Sequence, residues 1–498
     1  MFNRKKMTPR KVKNIQARFD SFEKVPEPSK NQRGKDFFLA SECYNYKVEN
    51  GVLEDGYGFR DFVLPMSYDD LTEEAVKLPS DEVKKIWSFR WFDPIMRVTD
   101  SYVFYLDGND KLYYFLEYRF FDEYVTDTTV SFTSEPTCFA YRMKDVNMFI
   151  LSSATDDLVV YAGADTAFVF ENMPKLADAC IHENCLYAIL ATDDSKIIYT
   201  NDLKFPETQD TEFTELVFIG GEGHRLRKLI SLNDYVYVFR DNGIVRVYPY
   251  GMTASLSISH VYYSTSFIMP ETIQRCGDEI LYLTREGLYS FNGTTSTKIE
   301  LEITDKIDME HYETFVSASQ KGKYFIACRM KFDDDETVLC EGSSEGYNNN
   351  AVLIYDVESG CVEVLRGVDV RDFEAFETHS ISKMLCCFYH DNKSKMAELT
   401  TDGKVFGEIV PKRWTSVKTD FGYEGQYKVI RSVELTAIKD CTIEIETENG
   451  KKSFKVKGNT KLQKIRLGVK GEWFKISFVS REEGQKISSP EFDIDVLL

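Results

Sequence analysis

Along most of the chain, short alternating runs of apolar and polar residues come in pairs, joined by turns rich in Asp, Asn or Gly. The stretch "NDYVYVFRDNGIVRVYPYG" (233–251) shows the form. Tyr235 to Arg240 alternates, Asp241-Asn242-Gly243 turns, and Ile244 to Tyr248 alternates again. Asn-Gly between two β-branched and aromatic runs is a strong hairpin signal. Relatives of this phrase begin at Asp100, Val146, Glu183, Gly277 and Lys321, with a weaker copy at Ile381. They return about every 40 to 60 residues, the range of solenoids and propellers. No 3.6-residue apolar period accompanies them, which sets helical repeats aside, and parallel β-helix coils are much shorter. About 45 residues hold four short strands with their turns, the size of one propeller blade. One such sheet cannot bury both its faces, so blades must stack around an axis. The pattern predicts an all-β fold, a β-propeller of about six to eight blades. A pair of unrelated β-sandwiches is the competing reading.

The flanks differ from this repeat. "TPRKVKNIQARF" places Thr8 as an N-cap with Pro9 at the first helical position. Val12, Ile15 and Phe19 would share one face of a short basic amphipathic helix, a disordered tail being the alternative. "SYDDLTEEAVKLPSDEVKKIW" (67–87) suggests one or two short helices before the first blade. From Trp414 onward strands alternate steadily, and Asn449-Gly450 makes another hairpin, which points to a small β-sandwich. The resulting map is a basic N-terminal arm (1–36), N-terminal strands and short helices (37–90), the propeller (91–410) and a C-terminal β-sandwich (411–498). The sequence does not decide whether the propeller closes by threading the segment around 37–64 into the last blade, although some such closure is expected. The insertion "FDDDETVLCEGSSEGYNNN" (332–350) is taken as an acidic loop between strands. Calcium would favour Asp333-Asp334-Asp335, but the spacing of an EF-hand is missing.

Composition sharpens the picture. Aromatics make up 14% of the 498 residues, a load that suits cross-strand packing. No apolar run approaches the roughly 18 residues of a membrane span, and the basic N-terminus has no apolar core behind it, so no secretory signal is expected. Eleven cysteines show no C-x-x-C pair and sit mostly in apolar runs, as free thiols of a protein folded in a reducing cytosol would. The formal charge is −20, yet Arg4, Lys5, Lys6, Arg10, Lys11, Lys13 and Arg18 crowd the first twenty residues. The acidity belongs to the body and argues against general adhesion to nucleic acid.

Signals for catalysis are thin. There is no G-x-S-x-G elbow and no H-E-x-x-H, the six histidines are dispersed, and "IGGEGH" (219–224) lacks the Lys and Ser/Thr of a phosphate loop. Among 81 acidic residues some pair will always look suitable for glycoside hydrolysis, so such pairs carry little information. No catalytic residue, cofactor or metal ligand is assigned, and the expectation is a non-enzymatic protein.

One arrangement resembles a known family. "SECYNYKVENGVLEDGYGFRDF" (41–62), with Asn45, Gly51, Val52, Leu53, Gly56 and Gly58, is similar to the N-terminal segment of phage virion proteins of the packaged-DNA stabilisation, or tail nozzle, type. "YVFRDNGIVRVY" and "RWTSVKTDFGYEGQYKVIRSVEL" also look like phrases of that family. The resemblance implies a structural tail protein of the virion, made in the host bacterial cytoplasm. Its copies would form a homo-oligomeric ring below portal and adaptor proteins and help retain and conduct packaged DNA without binding it specifically. The family lends no individual functional residue. Our own expectation is that Arg10, Lys11, Lys13 and Arg18 dock on an acidic neighbour while Asp and Glu line the lumen. A receptor- or glycan-binding propeller is the alternative, and a propeller glycoside hydrolase the remoter one.

Overall fold

The protein is described here by a computed structural model, which covers residues 12–18, 22, 40–63, 78, 80, 82–93, 97–116, 125–143, 146–163, 167–171, 173–201, 203, 211–217, 225–249, 256–332, 348–378, 382–390 and 392–497. Five antiparallel four-stranded sheets follow one another at 83–131, 137–170, 176–217, 226–263 and 274–299, and they are called blades 1 to 5. Blade 6 (316–366) has four strands of its own, and blade 7 (370–400) has three. First strands touch between blades 2 and 3, 3 and 4, 5 and 6, and 6 and 7, and blade 7 returns to blade 1 in the same way. The expected propeller is therefore present, with seven sheets.

The seven recurring phrases are the second and third strands of these blades. In the opening phrase, Tyr235–Arg240 pairs with Gly243–Tyr248 across a two-residue turn, Arg240 facing Gly243. Gly243 is needed there for space: a Cβ would lie 2.8 Å from the carbonyl oxygen of Tyr262 on the next strand. Between the first and second strands the turns differ. Glu183 and Asn184 both adopt positive φ, 46° and 61°, as a tight hairpin with strand-matched twist requires.

Each sheet buries its faces against its neighbours. Seven separate apolar clusters sit between blades 1–2, 2–3, 3–4, 4–5, 5–6, 6–7 and 7–1. Between blades 1 and 2, the stacked rings of Phe104 and Phe149 have centroids 4.5 Å apart. Between blades 7 and 1, Leu385 and Cys387 pack on Ile86 and Val103, which closes the circle. Such ring pairs contribute roughly 0.5–1.5 kcal/mol beyond the area they bury.

The N-terminal part supplies five strands: β1 (Val12–Arg18), β2 (Ala40–Tyr44), β3 (Tyr46–Glu49), β4 (Val52–Asp55) and β5 (Gly58–Asp61). β5 is the outer strand of blade 7, antiparallel to Lys393–Thr400, with Phe59 opposite Leu399. Ring closure thus falls to the segment around 37–64, a point the sequence leaves undecided. β2 lies between Val362–Arg366 of blade 6 and Lys412–Ser416, so that one nine-stranded sheet runs from the propeller out to Gly450–Val456. A second sheet holds β3, β4, Lys486–Leu497, Tyr427–Ala437 and Asn459–Gly471. The two enclose a core around Trp414, whose ring meets Phe22 edge-on at 5.0 Å.

Three expectations change. The stretch 12–18 is a strand: β1 pairs with Lys486–Leu497 from Val12 opposite Leu497 to Arg18 opposite Glu491. An open sheet edge offers seven residues of backbone pairing, and period two buries Ile15 and Ala17 together while Val12 stays exposed. The helical face would have needed Phe19, which lies outside the described residues. Similarly, the end of the predicted helical stretch 67–87 belongs to the strand Val83–Asp93, which opens blade 1 ahead of residue 91. The segments 1–36 and 37–90 are also not separate units, since their described strands are built into the sandwich and blades 7 and 1. The acidic triplet 333–335 lies outside the described residues.

Candidate functional site

Two places gather polar side chains: the mouth of the propeller channel and the joint between propeller and sandwich. At the mouth, the first strands of four blades carry a β-bulge near their start, between Val83 and Lys85, Leu176 and Asp178, Leu226 and Lys228, and Val370 and Asp372. A bulge re-aims the following side chain. Here it places Lys85, Asp178, Lys228 and Asp372 at equivalent positions around the axis. Lys85 Nζ lies 3.2 Å from Asp372 Oδ1 and 2.8 Å from Glu135 Oε1, while Lys228 Nζ lies 3.6 Å from Asp178 Oδ1.

The carboxylates also tie blades together. Asp372 of blade 7 accepts the Ile86 N–H of blade 1 at 2.9 Å. Glu374 accepts the Ser88 N–H at 3.0 Å and its hydroxyl at 2.5 Å. Asp178 of blade 3 accepts the Leu229 N–H of blade 4 at 2.6 Å. Burial pushes Glu374 up to about 7 and Asp372 up to about 6, the latter restrained by Lys85. Burial opposes the Lys85 ammonium, but Asp372, Glu135 and Glu271 outweigh it and hold the group protonated. Asp178 raises Lys228 against the cost of burial. For both pairs the carboxylate and the ammonium shift upward, because desolvation of the acid exceeds what its lysine returns. Five carboxylates thus face two lysines at the mouth, and three of the five are committed to backbone amides of the neighbouring blade.

At the joint, Asn45 sits buried at φ 57°. Its Nδ2 donates to Pro411 O at 2.7 Å and its Oδ1 accepts the Arg366 N–H at 2.9 Å. Its own N–H reaches Val364 O at 2.9 Å, and its carbonyl accepts Gly56 N–H at 3.1 Å. A Cβ on Gly56 would stand 2.8 Å from that carbonyl, and one on Gly58 would stand 2.1 Å from Lys404 O. Nearby, Lys412 is fully buried, with Nζ 2.6 Å from both Asp55 Oδ1 and Glu482 O. A cleft of about 190 Å³ opens beside the joint, lined by Glu42, Tyr44, Lys306, Arg366, Arg413 and Glu444 among others. Five cations and three carboxylates line it, and some are paired, as in Lys306 with Glu42 at 2.9 Å and Arg413 with Glu444 at 2.8 Å.

Of the four residues expected to dock a partner, Arg10 and Lys11 lie outside the described residues. Lys13 and Arg18 stand on β1, with Lys13 Nζ 5.1 Å from the centroid of the Tyr423 ring. Their five-residue separation puts them on opposite sides of the strand, roughly 17 Å apart at about 3.3 Å per residue. Neither belongs to the channel mouth or the joint. Sequence reasoning missed Lys85, Asp178, Lys228, Asp372 and Glu374. Lys85, Asp178, Lys228 and Asp372 share one signal: each stands two places after the apolar residue that opens its first strand. Among the described residues no group of three or more His, Cys, Asp or Glu is placed to hold a metal, and no helix is long and apolar enough to cross a membrane.

No protein-family model matches the chain, and no curated protein matches it in sequence. Among solved structures it is similar to the Pan2 WD40 domain of Neurospora crassa at 9% identity and a TM-score of 0.35, covering 64% of this chain and 96% of that one. It is also similar to BBS1N in complex with ARL6DN at 10% identity and a TM-score of 0.40, covering 68% and 97%. The assignment of the propeller rests on the sheet order of this chain.

Proposed function

We propose that this protein is a non-enzymatic structural component that assembles into a ring in a phage tail, as its resemblance to the tail nozzle type implies. The observation that carries the reading is the joint. Asn45, Gly56 and Gly58, half of the six residues on which the resemblance rests, make the close backbone contacts that weld sandwich, blade 6 and blade 7 into one body. Motif residues spent on architecture support a protein whose task is to hold shape between neighbours. The polar groups of the channel mouth point the same way, because they fasten blade to blade.

Packaged DNA would pass such a ring without adhering. A wall rich in carboxylates repels phosphates over a Debye length of about 8 Å at physiological salt. The experiment is incorporation into particles. Deleting residues 1–11 leaves β1 whole, so the chain should fold, as judged by an unchanged melting temperature, yet fail to enter tails. Normal incorporation would remove the docking role assigned to Arg10 and Lys11, and absence of the full-length protein from particles would remove the virion reading itself.

A further inference from the structure

The strands Gly450–Val456 and Asn459–Gly471, with the turn between them, carry seven lysines and one arginine and no Asp or Glu. Residues 37–410 hold 64 acidic side chains against 33 basic ones, whereas residues 411–498 hold 13 against 17. Charge is therefore segregated, and the cationic excess of the sandwich is concentrated in one hairpin. Gly450–Val456 ends the nine-stranded sheet at the edge farthest from the propeller, and Asn459–Gly471 ends the other sheet on the same flank. Lys451 pairs with Glu444 at 2.7 Å and Lys464 with Glu434 at 2.8 Å. Lys452, Lys455, Lys457, Lys461 and Arg466 are exposed and have no ion-pair partner among the described residues. On the same flank Leu462 is 61% exposed.

We propose that this cationic edge is an assembly surface that receives the acidic turns of blades 2 and 3 of a second copy. The proposal rests on the ring-forming reading and assigns its contact. In a four-stranded antiparallel blade, the turns between second and third strands all emerge at one end of the propeller. In blades 1 to 5 those turns (107–110, 153–157, 191–194, 241–242 and 285–286) hold eight carboxylates and one arginine. In blades 2 and 3 three of the four carboxylates already face a cation: Lys175 lies 2.5 Å from Asp157, Lys196 3.5 Å from Asp193 and Arg225 3.5 Å from Asp194, so the second copy's lysines would share these carboxylates. The order of blades supplies the geometry. The sandwich leaves the propeller at blade 6, and in a circle of seven, blades 2 and 3 lie across from it. Unlike patches on opposite sides of one molecule give head-to-tail contacts, which close into rings when the rotation allows. Lysines along an exposed edge also repel the addition of another strand. The contact is therefore electrostatic and salt-sensitive, and not a continuation of the sheet.

The test follows assembly by light scattering and negative-stain imaging between 50 and about 300 mM salt. The variant Lys452→Glu/Lys455→Glu/Lys457→Glu/Lys461→Glu should keep its melting temperature, since all four side chains are exposed. It should raise the concentration for half-assembly about tenfold or more, four exposed pairs being lost. Adding Asp157→Lys/Asp194→Lys to the same chain should restore assembly, because each copy then presents both reversed patches. Assembly of the four-glutamate variant at the wild-type concentration overturns the contact and leaves the ring reading intact. A wild-type chain that stays monomeric throughout overturns both. Loss of duplex DNA binding in the four-glutamate variant, with assembly unchanged, would reassign the edge to a nucleic acid.

Discussion

Glu374 offers the sharpest test of the channel mouth. Its carboxyl lies half-buried between the first strands of blades 7 and 1, and burial raises it from an ordinary value of 4.5 to about 7. In the unfolded chain it would lose its proton near 4.5, so between about pH 4.5 and 7 the folded state holds a proton that the unfolded state has released. Stability then falls as pH rises through this window, and the penalty is complete above the folded value. At 1.36 kcal/mol per unit, the full difference is roughly 3 kcal/mol, of which about 1 kcal/mol accumulates between pH 6 and pH 8. Glu374→Gln removes the ionisation but keeps an oxygen that accepts the Ser88 N–H. Urea denaturation of both proteins at pH 6, 7 and 8 reads the effect, with the lower limit kept clear of the pI near 4.9. The variant should gain on the wild type as pH rises, by about 1 kcal/mol over this range. Two profiles that run parallel, or a gain that shrinks toward pH 8, would refute the burial argument.

Other substitutions probe the welds. Lys412→Met strands Asp55 without its buried partner and should lower stability by roughly 3–5 kcal/mol, seen as a fall in melting temperature. Asn45→Ala leaves Pro411 O and Arg366 N–H without their side-chain partner. At roughly 1–3 kcal/mol for each stranded group, limited proteolysis should cut the joint earlier than in the wild type. Phe59→Ala takes from the closing strand β5 a buried ring 4.8 Å from that of Phe388. It should cost roughly 3–5 kcal/mol and speed hydrogen exchange in blade 7 before blades 2 to 4.

Much of the propeller was legible because its second and third strands are buried on both sides and joined by turns. Apolar runs and Asp, Asn or Gly recur there together, as at Tyr235–Tyr248. The first strands were harder to see. Lys85, Asp178, Lys228 and Asp372 interrupt their apolar pattern because one face looks into the channel. These residues come from positions dozens apart in sequence, and a chain with 81 acidic residues hides any particular few of them. The outer strand of blade 2 is only Phe168–Phe170, too short to signal itself. In β1 the spacing of Val12 and Ile15 fits a helix, while Ile15 and Ala17 fit a strand. Which period prevails is decided by the edge of Lys486–Leu497, a partner more than 470 residues away. The joint was half visible: Asn45, Gly56 and Gly58 stood out as a phrase, but their contacts to Pro411, Arg366 and Lys404 are made only in the fold.

Direct imaging tests the central claim, that each molecule is one rigid propeller–sandwich body committed to a ring of its own copies. Cryo-electron microscopy of the purified full chain at low salt should show closed rings, each subunit a seven-bladed disc with a sandwich lobe fixed beside blade 6. Single discs at every concentration, or lobes that take many orientations relative to the disc, would contradict it.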